Sequence, residues 1–184
     1  MYSPTVGYEI LTFCLKINGK SIQLEIWDTC GQETYRSLIK SFYRKVSLAI
    51  LVYSIDNENS FNNLETWLNE IKSQSNPETK IFLIGNKADL EDRRNISFKT
   101  GQQFSKAHSI NYFIETSAKT GFNSQDVFIQ VAKELYLLNL EYNHSFEINK
   151  SNNSNPNQKD INLDRNNILS NEEDDRPRKK KNCC

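Results

Sequence analysis

Two short runs of uninterrupted apolar residues constrain this chain most: Ser47 to Tyr53 (SLAILVY) and Ile81 to Gly85 (IFLIG). A strand with one wet face alternates apolar and polar residues, whereas a run without alternation suits a parallel strand covered on both faces. Tyr112 to Glu115 (YFIE) is a third, shorter candidate. Helical patterns fall between these strands. Phe61, Leu64, Leu68 and Ile71 repeat at helical spacing, with Asn59 or Ser60 as the expected N-cap. Ser97 to Ala107 gives a weaker helix. Asp126 to Leu140 gives a stronger one, with Phe128, Val131, Leu135 and Leu138 on one stripe. Strand, helix, strand, helix with short links predicts an open α/β sheet.

A hairpin precedes this alternation. Tyr8 to Ile17 reads as a strand, Asn18-Gly19 is a strong turn signal, and Ile22 to Asp28 reads as the returning strand. In the second strand Ile22, Leu24 and Ile26 share one face, and Gln23, Glu25 and Trp27 share the other. Trp27 therefore stands on a face that is otherwise polar.

Composition divides the chain at Tyr142. Sixty apolar residues and all six glycines lie in 1–142, which is ordinary for a globular body. The last 42 residues hold eight apolar side chains and eleven Asn, and periodicity disappears. The expected organisation is one domain over 1–142 and a disordered tail over 143–184. The tail carries an acidic run (Glu172 to Asp175), a basic run (Arg176, Arg178 to Lys181) and then Asn182-Cys183-Cys184.

The 23 basic and 23 acidic residues cancel, which argues against a generic nucleic-acid binder. No apolar run reaches the ~18–20 residues of a transmembrane helix, and no signal-peptide pattern opens the sequence. Cys14, Cys30, Cys183 and Cys184 show no CxxC spacing and read as reduced cytosolic thiols. His108 and His144 lie apart from any Cys or carboxylate pattern, which argues against zinc chemistry and histidine catalysis.

Three motifs sit at the carboxyl ends of the expected strands, where open α/β sheets bind ligands. They are Asp28-Thr29-Cys30-Gly31-Gln32, Asn86-Lys87-Ala88-Asp89 and Thr116-Ser117-Ala118-Lys119. With these motifs in this order, the sequence resembles the Ras-like small GTPases, and the Rab branch most closely, from Tyr2 to about Tyr142. Tyr2 to Gly7 resembles a Rab switch I. Asp28 to Gln32 resembles switch II, with Cys30 in place of the usual Ala.

The resemblance implies a Ras-like P-loop NTPase fold: a mostly parallel sheet with one antiparallel edge strand. It also implies roles for individual residues. Asn86, Lys87, Asp89, Ser117, Ala118 and Lys119 would recognise guanine. A carboxylate at Asp89 accepts from guanine N1–H and the 2-amino group together, and adenine, with an acceptor at N1 and no 2-amino group, leaves it unpaired. Asp28 and Thr5 would serve Mg²⁺, Gly31 would meet the γ-phosphate, and Gln32 would orient the attacking water. Ile10, Trp27, Tyr35 and Tyr43 would form an effector surface. Cys183 and Cys184 would be geranylgeranylated with help from an escort protein, placing the chain on the cytoplasmic face of endomembranes with a cytosolic pool. GTP and GDP, effectors, an exchange factor, a GTPase-activating protein and an extraction partner follow as expected partners, and nucleic acid does not.

One element of the pattern is missing. No GxxxxGK(S/T) phosphate loop occurs anywhere in the sequence. Its backbone N–H cradle, its Lys and its direct Mg²⁺ hydroxyl go with it. The expectation is a small-GTPase body lacking its first strand, phosphate loop and first helix, either a shortened form of a working vesicle-transport switch or a membrane-anchored binding module that cannot bind nucleotide alone. In the family the lost strand is central, between the Asp28 strand and the Ser47–Tyr53 strand, so its loss would leave unpaired edges.

Overall fold

The computed structural model describes Thr5, residues 7–30 and residues 42–151, with side chains to 143. Gly31, Gln32, Tyr35, Cys183 and Cys184 lie outside the described residues. The chain divides into two compact units, Met1–Glu9 with Trp27–Val131, and Ile10–Ile26 with the chain from Ala132.

Strands β1 (Tyr8–Ile17) and β2 (Lys20–Thr29) form the hairpin. Both turn residues take left-handed backbone, Asn18 at φ 50° and Gly19 at φ 75°. That pair of conformations matches the right-handed twist of a two-residue hairpin, and Asn-Gly adopts it at low cost. Leu15, Ile17 and Leu24 are buried, with Ile22 and Ile26 half-buried, as the alternation requires. Most of the hairpin belongs to the second unit, where the Lys20 ammonium lies 5.6 Å from the centre of the Tyr136 ring.

In the first unit β3 (Leu48–Ser54), β4 (Lys80–Asn86) and β5 (Tyr112–Glu115) form a parallel sheet in the order β3-β4-β5. Every residue from Ile81 to Gly85 is buried, as expected of a strand covered on both faces. Strand β3 departs from that expectation. Leu51 and Tyr53 are buried, but Val52 is 56% exposed. Among the described residues β3 pairs only with β4, and the hairpin forms a separate two-stranded sheet rather than an antiparallel edge of the same one.

Helices α1 (Glu58–Asn62) and α2 (Leu64–Gln74) follow β3. The cap is Asn57, not Asn59 or Ser60. Asn57 is extended and its side-chain oxygen accepts from the Ser60 N–H at 3.2 Å. The Ser60 hydroxyl is engaged elsewhere: it donates to the Asn57 carbonyl at 2.7 Å and accepts from the Ser54 N–H at 2.9 Å. The predicted stripe holds, since Leu64, Leu68 and Ile71 are buried against Leu51, Tyr53, Ile55, Ile81, Leu83 and Ile96. Phe61 packs edge-on against both Tyr53 and Phe104.

After β4 a 3₁₀ segment spans Ala88–Arg93, and α3 (Phe98–Ala107) begins at Ser97, whose hydroxyl accepts from the Thr100 N–H at 3.0 Å. Helix α4 runs over Ser124–Ser151. Its buried line is Val127, Val131 and Ala132, so the core-facing stripe is centred beside Phe128, which is half-buried with Leu135 and Leu138. The helix also continues past Tyr142, where the sequence predicted an unstructured tail. Residues 143–151 contain no Gly or Pro, so each added residue extends a helix already nucleated. Among the described residues no helix is long and apolar enough to cross a membrane.

Candidate functional site

The carboxyl ends of β4 and β5 meet through side chains that the sequence places 28 to 32 residues apart. Gly85 pairs with Glu115 in the sheet register, so Asn86 and Thr116 leave their strands at the same level. The Thr116 N–H donates to the Gly85 carbonyl at 2.9 Å, and the Ala88 N–H donates to the Thr116 carbonyl at 2.9 Å. Asn86 completes the seam. Its side-chain oxygen accepts from the Ala118 N–H at 3.1 Å and from the Thr116 hydroxyl at 3.4 Å.

Lys87 turns the chain with a left-handed φ of 65°, an uncommon conformation for a non-glycine residue. That turn carries the next residues into the 3₁₀ segment and brings Asp89 over β5. The Ser117 hydroxyl, in a residue only 1% exposed, donates to Asp89 Oδ1 at 2.6 Å and accepts from the Thr120 N–H at 3.1 Å. This bond, more than the Lys119 ammonium 3.7 Å from Oδ2, holds the Asp89 carboxyl below the usual aspartate range. The result is an ionised carboxylate fixed in place, with acceptor capacity left for two neighbouring donors. Asp56 supports the same corner. Its carboxylate accepts a short hydrogen bond from the Ser54 hydroxyl and lies 3.5 Å from the Lys87 ammonium, and these two partners, the hydroxyl first, lower its pKa.

A second constellation lies at the end of β2. The Thr5 hydroxyl donates to Asp28 Oδ2 at 3.0 Å, and the Cys30 N–H donates to the Gly7 carbonyl at 2.9 Å. The two residues expected to serve Mg²⁺ are thus in direct contact. A hydroxyl and a carboxylate are the hard oxygen donors Mg²⁺ takes, and Mg²⁺ usually fills its remaining positions with phosphate oxygens and water. Among the described residues no group of three or more His, Cys, Asp or Glu gathers to hold a metal. The Cys30 side chain is buried. Cys14 is disulfide-bonded, which departs from the reading of reduced thiols.

Trp27 heads an aromatic group that the sequence foresaw only in part. Its ring stacks on Tyr8 with centroids 5.4 Å apart and lies 4.6 Å from Phe42, and Tyr8 and Phe42 are 4.8 Å apart. Tyr43, expected in this group, instead packs against the core of the first unit. Ile10 is 48% exposed. Tyr8 was legible: counting back from a two-residue turn puts it on the same face of the hairpin as Trp27. Phe42 was not, because nothing local relates it to β2.

Residues 1–137 match the family model described as the Ras family. The match spans most of the 184 residues and includes both constellations, so the chain belongs to the Ras family, the small GTPases that bind guanine nucleotide and act through regulators and effectors.

Proposed function

We propose that this chain is the body of a Rab-type switch in vesicle-mediated transport, cycling between GTP and GDP with Mg²⁺. The observation that carries the reading is Asp89, ionised and clamped by a buried Ser117, on the same seam where the Asn86 side chain holds the Ala118 N–H. Guanine offers N1–H and a 2-amino group to that carboxylate and its carbonyl to an N–H donor, whereas adenine offers neither match. Thr5 and Asp28 would hold Mg²⁺, which when bound neutralises phosphate charge. Gly31 would meet the γ-phosphate and Gln32 would orient water. The aromatic group at Trp27, with Ile10, Tyr35 and Tyr43, is proposed as the region where effectors act. Titration of the chain with GMP and AMP, followed by NMR at Asp89 and Ala118, tests the base reading: equal responses to both nucleotides overturn it.

No GxxxxGK(S/T) phosphate loop occurs in these 184 residues. Each charge-assisted phosphate contact contributes roughly 1.5–3 kcal/mol, and several are lost together without it. Weak GTP binding is therefore expected of the 184-residue chain, and restored affinity once an in-frame GxxxxGK(S/T) segment is added. That absence also favours a second reading, a membrane-anchored module that binds partners without nucleotide. A transcript with no such upstream segment supports the module. Sub-micromolar GTP affinity of the 184-residue chain in calorimetry overturns the weak-binding expectation and the module.

The anchor is proposed at Cys183 and Cys184, as paired geranylgeranyl thioethers added with an escort protein. Two lipid chains give stable anchoring where one gives only reversible binding. Arg176 and Arg178 to Lys181 would add about 1 kcal/mol each near an anionic leaflet, partly offset by Glu172 to Asp175. Intact-mass analysis of the cellular protein reads both lipid additions directly. Unchanged membrane association after Cys183→Ser with Cys184→Ser overturns this anchor.

A further inference from the structure

We propose that Arg94 is a positioning residue for the base-recognition loops, acting through Glu115 to hold Asp89 and Ala118 at a fixed separation. Arg94 follows the 3₁₀ segment that carries Asp89, and Glu115 is the last residue of β5 before Thr116-Ser117-Ala118. The guanidinium joins these two stretches behind the Ser117–Asp89 bond. Nη1 and Nη2 donate to Glu115 Oε1 and Oε2, each at 2.7 Å. Nε and Nη2 donate to Glu91 Oε1 and Oε2 at 2.9 and 2.7 Å, and Nη1 also donates to the Ile96 carbonyl at 2.8 Å.

An arginine has five N–H donors in a rigid fork, and here all five are matched. The Arg94 and Glu115 side chains are 18% and 11% exposed. A buried ion pair is poor evidence for stability, because desolvation offsets its attraction, but it enforces one geometry when its hydrogen bonds are complete. The surroundings preserve that geometry. The Glu115 carbonyl accepts from the Asn123 side chain at 2.9 Å, and a Cβ at Gly85 would stand 3.0 Å from Glu115 Cγ, so the glycine keeps room for the glutamate. The next residue, Asn95, donates its N–H to the Ile55 carbonyl at 2.9 Å and its side-chain amide to the Asp56 carbonyl at 2.7 Å. Residues 94 and 95 thus fasten the loop after β4 to the ends of both β3 and β5.

The consequence for ligand rests on the guanine reading above. Asp89 and the Ala118 N–H recognise different atoms of one base, so an error in their separation weakens both contacts together. A lysine at 94 would keep the charge and lose the fork.

The test compares wild type, Arg94→Ala and Arg94→Lys by amide hydrogen exchange on the whole chain, alongside GMP titration. The expected result is exchange at Ala88 and Ala118 faster by about tenfold in Arg94→Ala, relative to the core amide of Leu83, with a smaller effect in Arg94→Lys. GMP binding is expected to weaken in the same order. Uniform acceleration that includes Leu83, or none at Ala88 and Ala118, overturns the positioning role. Should Arg94→Ala not fold, the Lys variant decides on the same ratio. If wild type ignores GMP, the guanine reading fails, while the exchange ratios still decide whether Arg94 positions the loops.

Discussion

The two constellations of the first unit are built differently. The loops after β4 and β5 are locked by side chains that are mostly buried: Ser117 is 1% exposed and Thr116 is 5% exposed, and each bonds a group across the seam. The Thr5–Asp28 pair is a single hydrogen bond between exposed side chains. The first arrangement is preformed, because opening it strands buried polar groups. The second is open to solvent, so opening it strands no buried group. In a family of nucleotide switches this division is physically sensible, since a base must be held throughout the cycle while the response to the γ-phosphate must be reversible.

Substitutions that separate these regions should differ in cost. Leu68→Ala, in the core beneath β3, removes a fully buried side chain and should cost about 2–5 kcal/mol, read as a lower urea midpoint. Gly85→Ala should cost about 1–3 kcal/mol, because the added Cβ would meet Tyr53 Oη at 2.9 Å and Glu115 Cγ at 3.0 Å. A stability change under ~0.5 kcal/mol there would show that the base loops are looser than the seam implies.

Ser117→Ala comes next. It leaves Asp89 Oδ1 and the Thr120 N–H without their hydroxyl partner, and about 1–3 kcal/mol should be lost in the same assay. The variant also tests the electrostatics. Because the folded Asp89 pKa is depressed, its contribution is present above the unfolded aspartate value and is lost as pH falls through the folded one. The carboxyl carbon should titrate below an ordinary aspartate by NMR, and Ser117→Ala should raise that midpoint. An unmoved midpoint would remove Ser117 as the main cause.

Thr5→Val should do least, within about 0.5 kcal/mol in the absence of nucleotide, since its one hydrogen bond is exposed. A larger loss would erase the contrast between the two regions.

How much of this was legible follows from the range of the interactions. The apolar runs of β3 and β4, the Asn18-Gly19 turn and the stripe of α2 are written in neighbouring residues, and each appears where local pattern puts it. The Asn57 cap was missed because the Ser60 hydroxyl is claimed by the Ser54 N–H, a group six residues away. The motifs at 86–89 and 116–119 were legible as residue types at strand ends, but the sequence does not say that Ser117 rather than Lys119 is the main partner of Asp89. Arg94 carried no signal, because the second of two arginines after an acidic turn looks like any solvated charge.

The sequence by itself determined the alternation of strands and helices, the polar tail composition and the identity of the motif residues, since these depend on the order of side chains along a few turns of backbone. Tertiary structure alone decided the rest: the seam between Asn86 and Ala118, the Arg94 fork on Glu115, Trp27 meeting Phe42, and Val52 left exposed. Each of these rests on groups far apart in the chain, and only the register of a parallel sheet or the closure of a loop brings such groups to bonding distance.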